Sequence, residues 1–306
     1  MQLTVKYKQK QIKSPLNYIG GKFRLLSQIL PLFPNKIDNF IDLFAGGCNV
    51  GINVDAEKIF FNDNLTFLIE MYQMFQDTEL NQIINHIENR ITEFDLSQTN
   101  EQAYKAMRNL YNQEKNPLDL FVLIAYSFNH QIRFNNSHEF NNPFGRNRSS
   151  FNAKMKQNLK KFIIKIKEQK CYFSNLCFTD FDFSSFNEND FVYCDPPYLI
   201  TTGTYNDGKR GFKGWSITEE KQLLSLLDEL NSRNIKFALS NVIEHKGKSN
   251  DILKDWINSN DYNVNYLNFN YSNSNYQTIM RDKKATVEVL VTNYHPPKQS
   301  QLSLFD

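Results

Sequence analysis

DFVYCDPPY, residues 190–198, runs through four apolar residues of strand type and stops on two consecutive prolines. Proline lacks the N–H that a ladder needs, so the chain has to leave a central sheet at Asp195. The rigid turn fixes the directions of the Asp195 carboxylate and the Pro196 carbonyl. Two acceptors held side by side suit an amine carrying two hydrogens. Tyr198, just beyond Pro197, adds a flat ring suited to stacking on a base. A plainer reading of the same residues is a strand-ending turn whose aspartate caps a helix.

Outward from this turn, further short β-type runs end in glycine or polar residues: NFIDLFAGG (39–47), KIFFND (58–63), IKFALSN (235–241), YNVNYLNF and ATVEVLVTNY. Segments of helical period lie between several of them, one opened by Thr218 as an N-cap before TEEKQLLSLLDEL. Strand and helix in alternation predict an α/β fold, a mostly parallel sheet with helices on both faces. Ligands on such a sheet sit beyond the carboxyl ends of the strands, where these motifs fall. From about Leu65 to Lys156 the alternation gives way to several helices and a polar loop, Ile132–Ser150, which reads as a second, inserted domain.

Asp42-Leu43-Phe44-Ala45-Gly46-Gly47 is a strand entering a glycine turn, with a helix expected from NVGINV. Such a turn lets a ligand approach the backbone and points helix N–H groups at an anionic group. Asp63, closing the next strand, is placed to accept from ribose hydroxyls. The phosphate spacing G-x-G-x-x-G is missing, which disfavours a dinucleotide. PLNYIGGKFRLL (15–26) sets an aromatic, paired glycines and a lysine ahead of a helix.

With 306 residues, 41% of them apolar, the chain can close a real core, and a net charge of +2 argues against disorder. The longest apolar runs, such as LFVLIAYSF (120–128), fall short of the roughly 18 residues of a membrane span. The polar opening MQLTVKYKQKQIKSP has no secretion signature, so a cytoplasmic protein is expected. Cys48, Cys171, Cys177 and Cys194 are far apart and lack a metal-ligand spacing. They read as reduced thiols, and no metal is expected. Residues 144–170 hold nine Lys/Arg against one acid; set against the total of +2, that excess of eight leaves the rest of the chain at net −6. Both an anionic partner such as nucleic acid and a solvated lysine-rich helix face fit this asymmetry.

Taken together and in order, NYIGGK, DLFAGG, FFND, RFNNSHEFNNPFGR (133–146), VYCDPPY and RDKKATVEVLVTNY resemble the Dam-like, alpha-group adenine-N6 DNA methyltransferases. The resemblance runs from about Pro15 to Tyr294. It implies a Rossmann-like sheet that binds S-adenosylmethionine, with residues 1–64 and 157–295 catalytic and residues 65–156 forming a mainly helical target-recognition domain for double-stranded DNA. By resemblance, Tyr18, Gly20, Gly21 and Lys22 line the cofactor site. Asp42 is among the cofactor contacts, Phe44 and Gly46 lie against the methionine part, and Asp63 holds the ribose. Asp180 and Phe181 hold the adenine, with Asp182-Phe183 competing for that role. Asp195 bridges cofactor and target base within the catalytic run Asp195-Pro196-Pro197-Tyr198. The family's F-x-G-x-G departs here at Cys48, where the helix start is expected to crowd the cofactor slightly.

Acceptance of both amine hydrogens by Asp195 and Pro196 would localise the nitrogen lone pair for direct in-line transfer, on a base flipped out of the duplex and stacked on Tyr198. In the inserted domain Arg133, Arg146 and Arg148 are expected on guanine edges or phosphates, Asn135 beside them, and Phe134 as a wedge in the stack. Residues 201–215, rich in glycine, read as a loop that orders over DNA. In the tail, residues 296–306, Gln301, Leu302, Leu304 and Phe305 resemble the short peptide by which bacterial proteins dock on the replication sliding clamp. A separately encoded restriction endonuclease is a further expected partner. The alternatives are a cytosine-N4 enzyme and a catalytically silent DNA-binding regulator on the same fold.

Overall fold

A computed structural model describes residues 11–201, 214–267 and 286–297. The clamp-type peptide at Gln301, Leu302, Leu304 and Phe305 lies outside the described residues, as does most of the 201–215 segment.

Strands β1 (Asn39–Asp42), β2 (Lys58–Asn62), β3 (Cys171–Ser174), β4 (Phe191–Cys194), β5 (Lys236–His245), β7 (Asn263–Leu267) and β8 (Thr286–Thr292) stand in the order β3-β2-β1-β4-β5-β8-β7, and β6 (Lys248–Ser249) pairs with β5. The first five are mutually parallel. β8 runs antiparallel to both β5 and β7. This is the Rossmann-like, mostly parallel sheet expected of a methyltransferase.

Period-two alternation loads both faces. On β4, Phe191 and Tyr193 enter one apolar cluster while Val192 and Cys194 enter the other; on β1, Phe40 and Ile41 divide likewise. One face is covered by α7 (Ile217–Ser232) and α8 (Asp251–Asn260). The other face carries the short α1 (Leu26–Ile29) and α2 (Thr66–Asp77), α3 (Leu80–Glu93), α4 (Glu101–Glu114), α5 (Pro117–Tyr126) and α6 (Ala153–Glu168). α5 is apolar apart from Asp119, which pairs with Arg90 and His86, and is buried in the middle of this group, started by Asn116 as N-cap and Pro117 at the first turn. A single apolar cluster runs from the sheet to α2–α6, so the inserted helices share the core of the sheet. The expected boundary at residue 156 falls inside α6.

Two local expectations are corrected. The cap of α7 is Ser216, not Thr218. Its hydroxyl accepts the Thr218 N–H, and Glu219 returns a carboxylate to the Ser216 N–H, forming a capping box. The glycine turn after β1 leads into one 3₁₀ turn, Gly51–Asn53, rather than an α-helix, so no helix N-terminus faces the site there. No helix of the described residues is long and apolar enough to cross a membrane.

Candidate active site

In the sheet order the chain reverses direction between β1 and β4, and ligands of doubly wound sheets sit outside the carboxyl ends at such a point. Asp42 ends β1 and Asp195 follows the last residue of β4.

The turn after β1 is tied down atom by atom. The Leu43 N–H continues the ladder to the Tyr193 carbonyl at 3.0 Å, and the Ala45 N–H reaches the Asn62 carbonyl at 2.8 Å. Gly46 has φ +45°, donates its N–H to Asp63 Oδ2 at 2.9 Å and accepts the Tyr72 hydroxyl at 2.8 Å. A Cβ on Gly46 would lie 2.7 Å from Cε1 of Tyr18, so the bare backbone is what lets the Tyr18 ring lie on the turn. Cys48 adopts φ +56° and is buried in the apolar cluster; the cavity wall is made by its neighbours Gly47 and Asn49. The expected crowding of the cofactor by Cys48 is therefore not seen, because its side chain turns inward.

The turn's N–H groups are occupied by carboxylates rather than offered to an anion. Asp42 Oδ2 accepts the Gly51 N–H at 3.1 Å, and Asp63 accepts Gly46 and, through Oδ1, Leu65 at 2.9 Å. Burial pushes the Asp42 carboxyl up to about 8, against the lowering effect of the Gly51 bond and with Asp195 and Asp63 adding repulsion. Burial raises Asp63 too.

Asp195 is 17% exposed and its side chain is held from two sides. Lys22 Nζ is 2.8 Å from Oδ1, and the Tyr198 hydroxyl is 3.0 Å from the same oxygen. Among the described residues both of these partners fall on Oδ1. Lys22 also donates to the Gly20 carbonyl at 2.9 Å and sits 4.9 Å from the centre of the Tyr198 ring. Burial raises Asp195, opposed by Lys22 and the Tyr198 bond.

These groups line a cavity of about 410 Å³. Tyr18, Gly20, Gly21, Lys22, Asp42, Phe44, Gly46, Asp63 and the whole of Asp195–Tyr198 lie on its wall. Asp180 and Phe181 do not. Asp180 is exposed and accepts from Thr179, Phe181 packs on Phe183 and Phe186, and Asp182 caps Ser184. The aromatic wall is instead Phe44, Phe178 and Trp215, with centroids 5.4–5.6 Å apart. Trp215 is fixed by its indole N–H to the buried Glu220 at 2.7 Å.

Three further residues were not singled out from the sequence. Asn62, in FFND, donates to the carbonyls of Leu43 and Leu176 and accepts from Ser174, joining the ends of three strands. Trp215 lay in a glycine-rich segment and Glu288 in an apolar strand; a carboxylate inside ATVEVLV was the available signal. Glu288 Oε1 accepts the Tyr198 hydroxyl at 2.9 Å.

The loop between α5 and α6 reaches the cavity through His130, Ile132, Arg133 and Phe134. Arg133 is exposed at this rim. Phe134 is 3% exposed and stacked 4.5 Å from Phe67, the placement of a core ring rather than a projecting wedge. Asn135 spends its amide on a turn, accepting the Ser137 and Glu139 N–H groups. Arg146 pairs with Glu101 at 2.5 Å and Arg148 covers the Phe128 ring at 4.9 Å, both away from the cavity wall. No cluster of three or more metal-ligating side chains occurs among the described residues.

The chain is 55% identical over 286 residues to the modification methylase StsI of Streptococcus sanguinis, covering 94% of this chain and 43% of that protein. It is 53% identical over 283 residues to the type II methyltransferase M.FokI of Planomicrobium okeanokoites, 92% and 43%. A DNA adenine methylase of Salmonella typhi is 25% identical over 237 residues, 76% of this chain and 81% of the relative. The chain thus spans less than half the length of the first two. A family model of the D12 class of N6 adenine-specific DNA methyltransferases matches residues 18–295. With that match across nearly the whole sequence, the chain belongs to the D12 class N6 adenine-specific DNA methyltransferase family.

Proposed function

We propose that this chain transfers a methyl group from S-adenosylmethionine to the N6 amine of one adenine in a specific double-stranded DNA site, as the modification half of a restriction–modification pair. The observation that carries the reading is Asp195, held on its proline turn by Lys22 and Tyr198 at the mouth between β1 and β4.

The donor set fits the cofactor. Asp63 and Asp195 give the cavity carboxylates suited to a ligand with a sulfonium and an ammonium, and Asp42, raised by burial to about 8, adds a carboxyl beside them. Tyr18 over the bare Gly46 leaves backbone within reach, and Phe44, Phe178 and Trp215 offer flat apolar surface for a purine. Bound there, S-adenosylmethionine supplies an electrophilic methyl carbon on sulfur.

Asp195 and the Pro196 carbonyl accept the two hydrogens of the target amine. This draws its lone pair out of conjugation and toward the donor, and leaves orientation and electrostatics as the protein's contribution, for which positioning alone can supply roughly 7–11 kcal/mol. Burial that raises Asp195 also removes competing water, while Lys22 keeps its charge favourable. The target base must leave the duplex to reach this depth. Arg133, at the rim, is the recognition residue nearest the chemistry. Arg146, Arg148 and the lysines of α6 are the cations for the DNA backbone. The tail peptide Gln301–Phe305 is proposed to contact the sliding clamp, testable by pull-down with and without residues 301–306.

Unmodified DNA incubated with labelled S-adenosylmethionine tests the reading. N6-methyladenine should be recovered at one sequence. N4-methylcytosine, or cofactor binding with no DNA product, would overturn it.

A further inference from the structure

On β8, Val287, Val289 and Val291 pack toward α7 and α8, while Leu290 enters the opposite cluster with Tyr193 and Ala238. Glu288 has the parity of Leu290, so a carboxylate, 15% exposed, stands on a face of the sheet whose other buried polar groups are hydroxyls, those of Tyr193, Ser240 and Thr292 among them. A charge in that position needs partners. Two are close: the Tyr198 hydroxyl, 2.9 Å from Oε1, and Lys22 Nζ, 3.5 Å from it.

Tyr198 is what makes the arrangement informative. Its oxygen lies 2.9 Å from Glu288 and 3.0 Å from Asp195, yet a phenol owns a single proton. Two ionised carboxylates are both acceptors, so only one of these contacts would then be a hydrogen bond. Both are satisfied when one carboxyl carries a proton and donates it to the phenol oxygen, while the phenol donates to the other. Lys22 decides which. It is 2.8 Å from Asp195 and 3.5 Å from Glu288, so the cation favours charge on Asp195. The remaining groups that face the pair are the Tyr193 phenol on β4 and the Asp42 carboxyl at the end of β1. The residues paired with Glu288 across β5 and β7, Val242 and Leu267, are apolar.

We propose that Asp195 and Glu288 share one proton through the Tyr198 hydroxyl, and that Glu288, by holding it, keeps Asp195 the carboxylate that receives the substrate amine. Glu288 is a positioning residue, acting through Tyr198 without touching the base. The role rests on the methyl-transfer reading above.

Glu288→Gln retains a donor toward the phenol; Glu288→Leu removes it. Glu288→Leu should lower single-turnover methyl transfer about 2- to 10-fold, the size of one lost hydrogen bond between neutral groups, with cofactor affinity within about twofold. Glu288→Gln should restore most of that loss. The proton is also read without turnover. In an Asp42→Asn, Asp63→Asn background at neutral pH, the cofactor-free protein should show a protonated-carboxyl C=O stretch in infrared difference spectra that Glu288→Gln abolishes. The inference is overturned if the Gln variant falls as far as the Leu variant, or if the band is missing or survives the Gln change. Wild-type protein that methylates no DNA would sink the functional reading instead, and the infrared test would still stand.

Discussion

The turns at the ends of β1 and β4 and the loop between α5 and α6 both border the cavity, and they are built on opposite plans. At the strand ends each carboxylate is immobilised: Asp63 by two backbone N–H groups, Asp42 by Gly51, Asp195 by Lys22 and Tyr198. In the loop the frame is fixed and the cations are not buried. Asn112 brackets Phe140 through both its N–H and its carbonyl, Asn142 ties Phe128 and Gln131, and Tyr104 holds the Asn142 carbonyl. Arg133, Arg146 and Arg148 all stand exposed on that frame. Chemistry on an amine needs acceptors that do not reorganise, whereas reading a polyanion needs charge presented to solvent by a rigid support.

The sharpest way to break this contrast is at Asp195. Asp195→Ala should reduce methyl transfer by about 10²–10³-fold or more at saturating cofactor, with DNA affinity nearly unchanged, as measured by single-turnover assay and titration. Near-normal turnover would mean that the strand-end turn is scaffold only.

Next in size is a stability effect confined to the same region. The Asp42 carboxyl titrates near 8 in the folded chain and near 3.8 unfolded, so the folded state binds the extra proton between those values. Its contribution is fully present below about pH 4 and is lost as pH rises toward 8, at a slope of up to about 1.4 kcal/mol per pH unit. Asp42→Asn keeps an acceptor for the Gly51 N–H and should flatten that part of the slope in urea melts run across the window. A variant with the wild-type slope would place the proton elsewhere.

Gly46→Ala combines a φ of +45° with a Cβ 2.7 Å from the Tyr18 ring. Strain of this kind costs roughly 1–3 kcal/mol, so the thermal midpoint should fall and cofactor affinity with it. In the loop, Arg133→Ala should lower discrimination between cognate and altered sites by a comparable 1–3 kcal/mol while leaving cofactor binding intact. Competition between the two DNAs measures it, and lost cofactor binding would show that the two regions are not separable.

What the sequence disclosed follows the same division. Asp195-Pro196-Pro197-Tyr198 and Asp42–Gly47 were legible because proline and glycine constrain the backbone locally, and the alternation of strands and helices placed them at one edge of a sheet. Residues whose role depends on distant partners were not. Phe178 and Trp215, 37 positions apart, meet only in the folded chain, so that aromatic wall was not legible, whereas Asp180 and Phe181, expected at the adenine, lie off the cavity wall. Glu288 acquires meaning only through the antiparallel strand that carries it to Tyr198, 90 positions earlier. Phe134 looked free beside polar neighbours, yet Phe67, Tyr111 and Phe140 enclose it. The helix expected after Gly47 failed for a local reason: Asp42 and Asp63 take the N–H groups of Gly51 and Gly46 and hold that stretch in a turn.

The smallest expected effect tests whether the exposed cations belong to the loop or to its partner. Arg146 is 60% exposed and pairs with Glu101, which Lys105 also reaches at 2.9 Å. Removing one of two cations from an exposed carboxylate should leave stability nearly unchanged. If Arg146 instead exchanges Glu101 for a phosphate in the complex, Arg146→Ala will reduce the slope of log affinity against log salt by about one. A slope equal to that of the wild type would assign Arg146 to α4 alone and narrow the recognition surface to Arg133, Arg148 and the cations of α6.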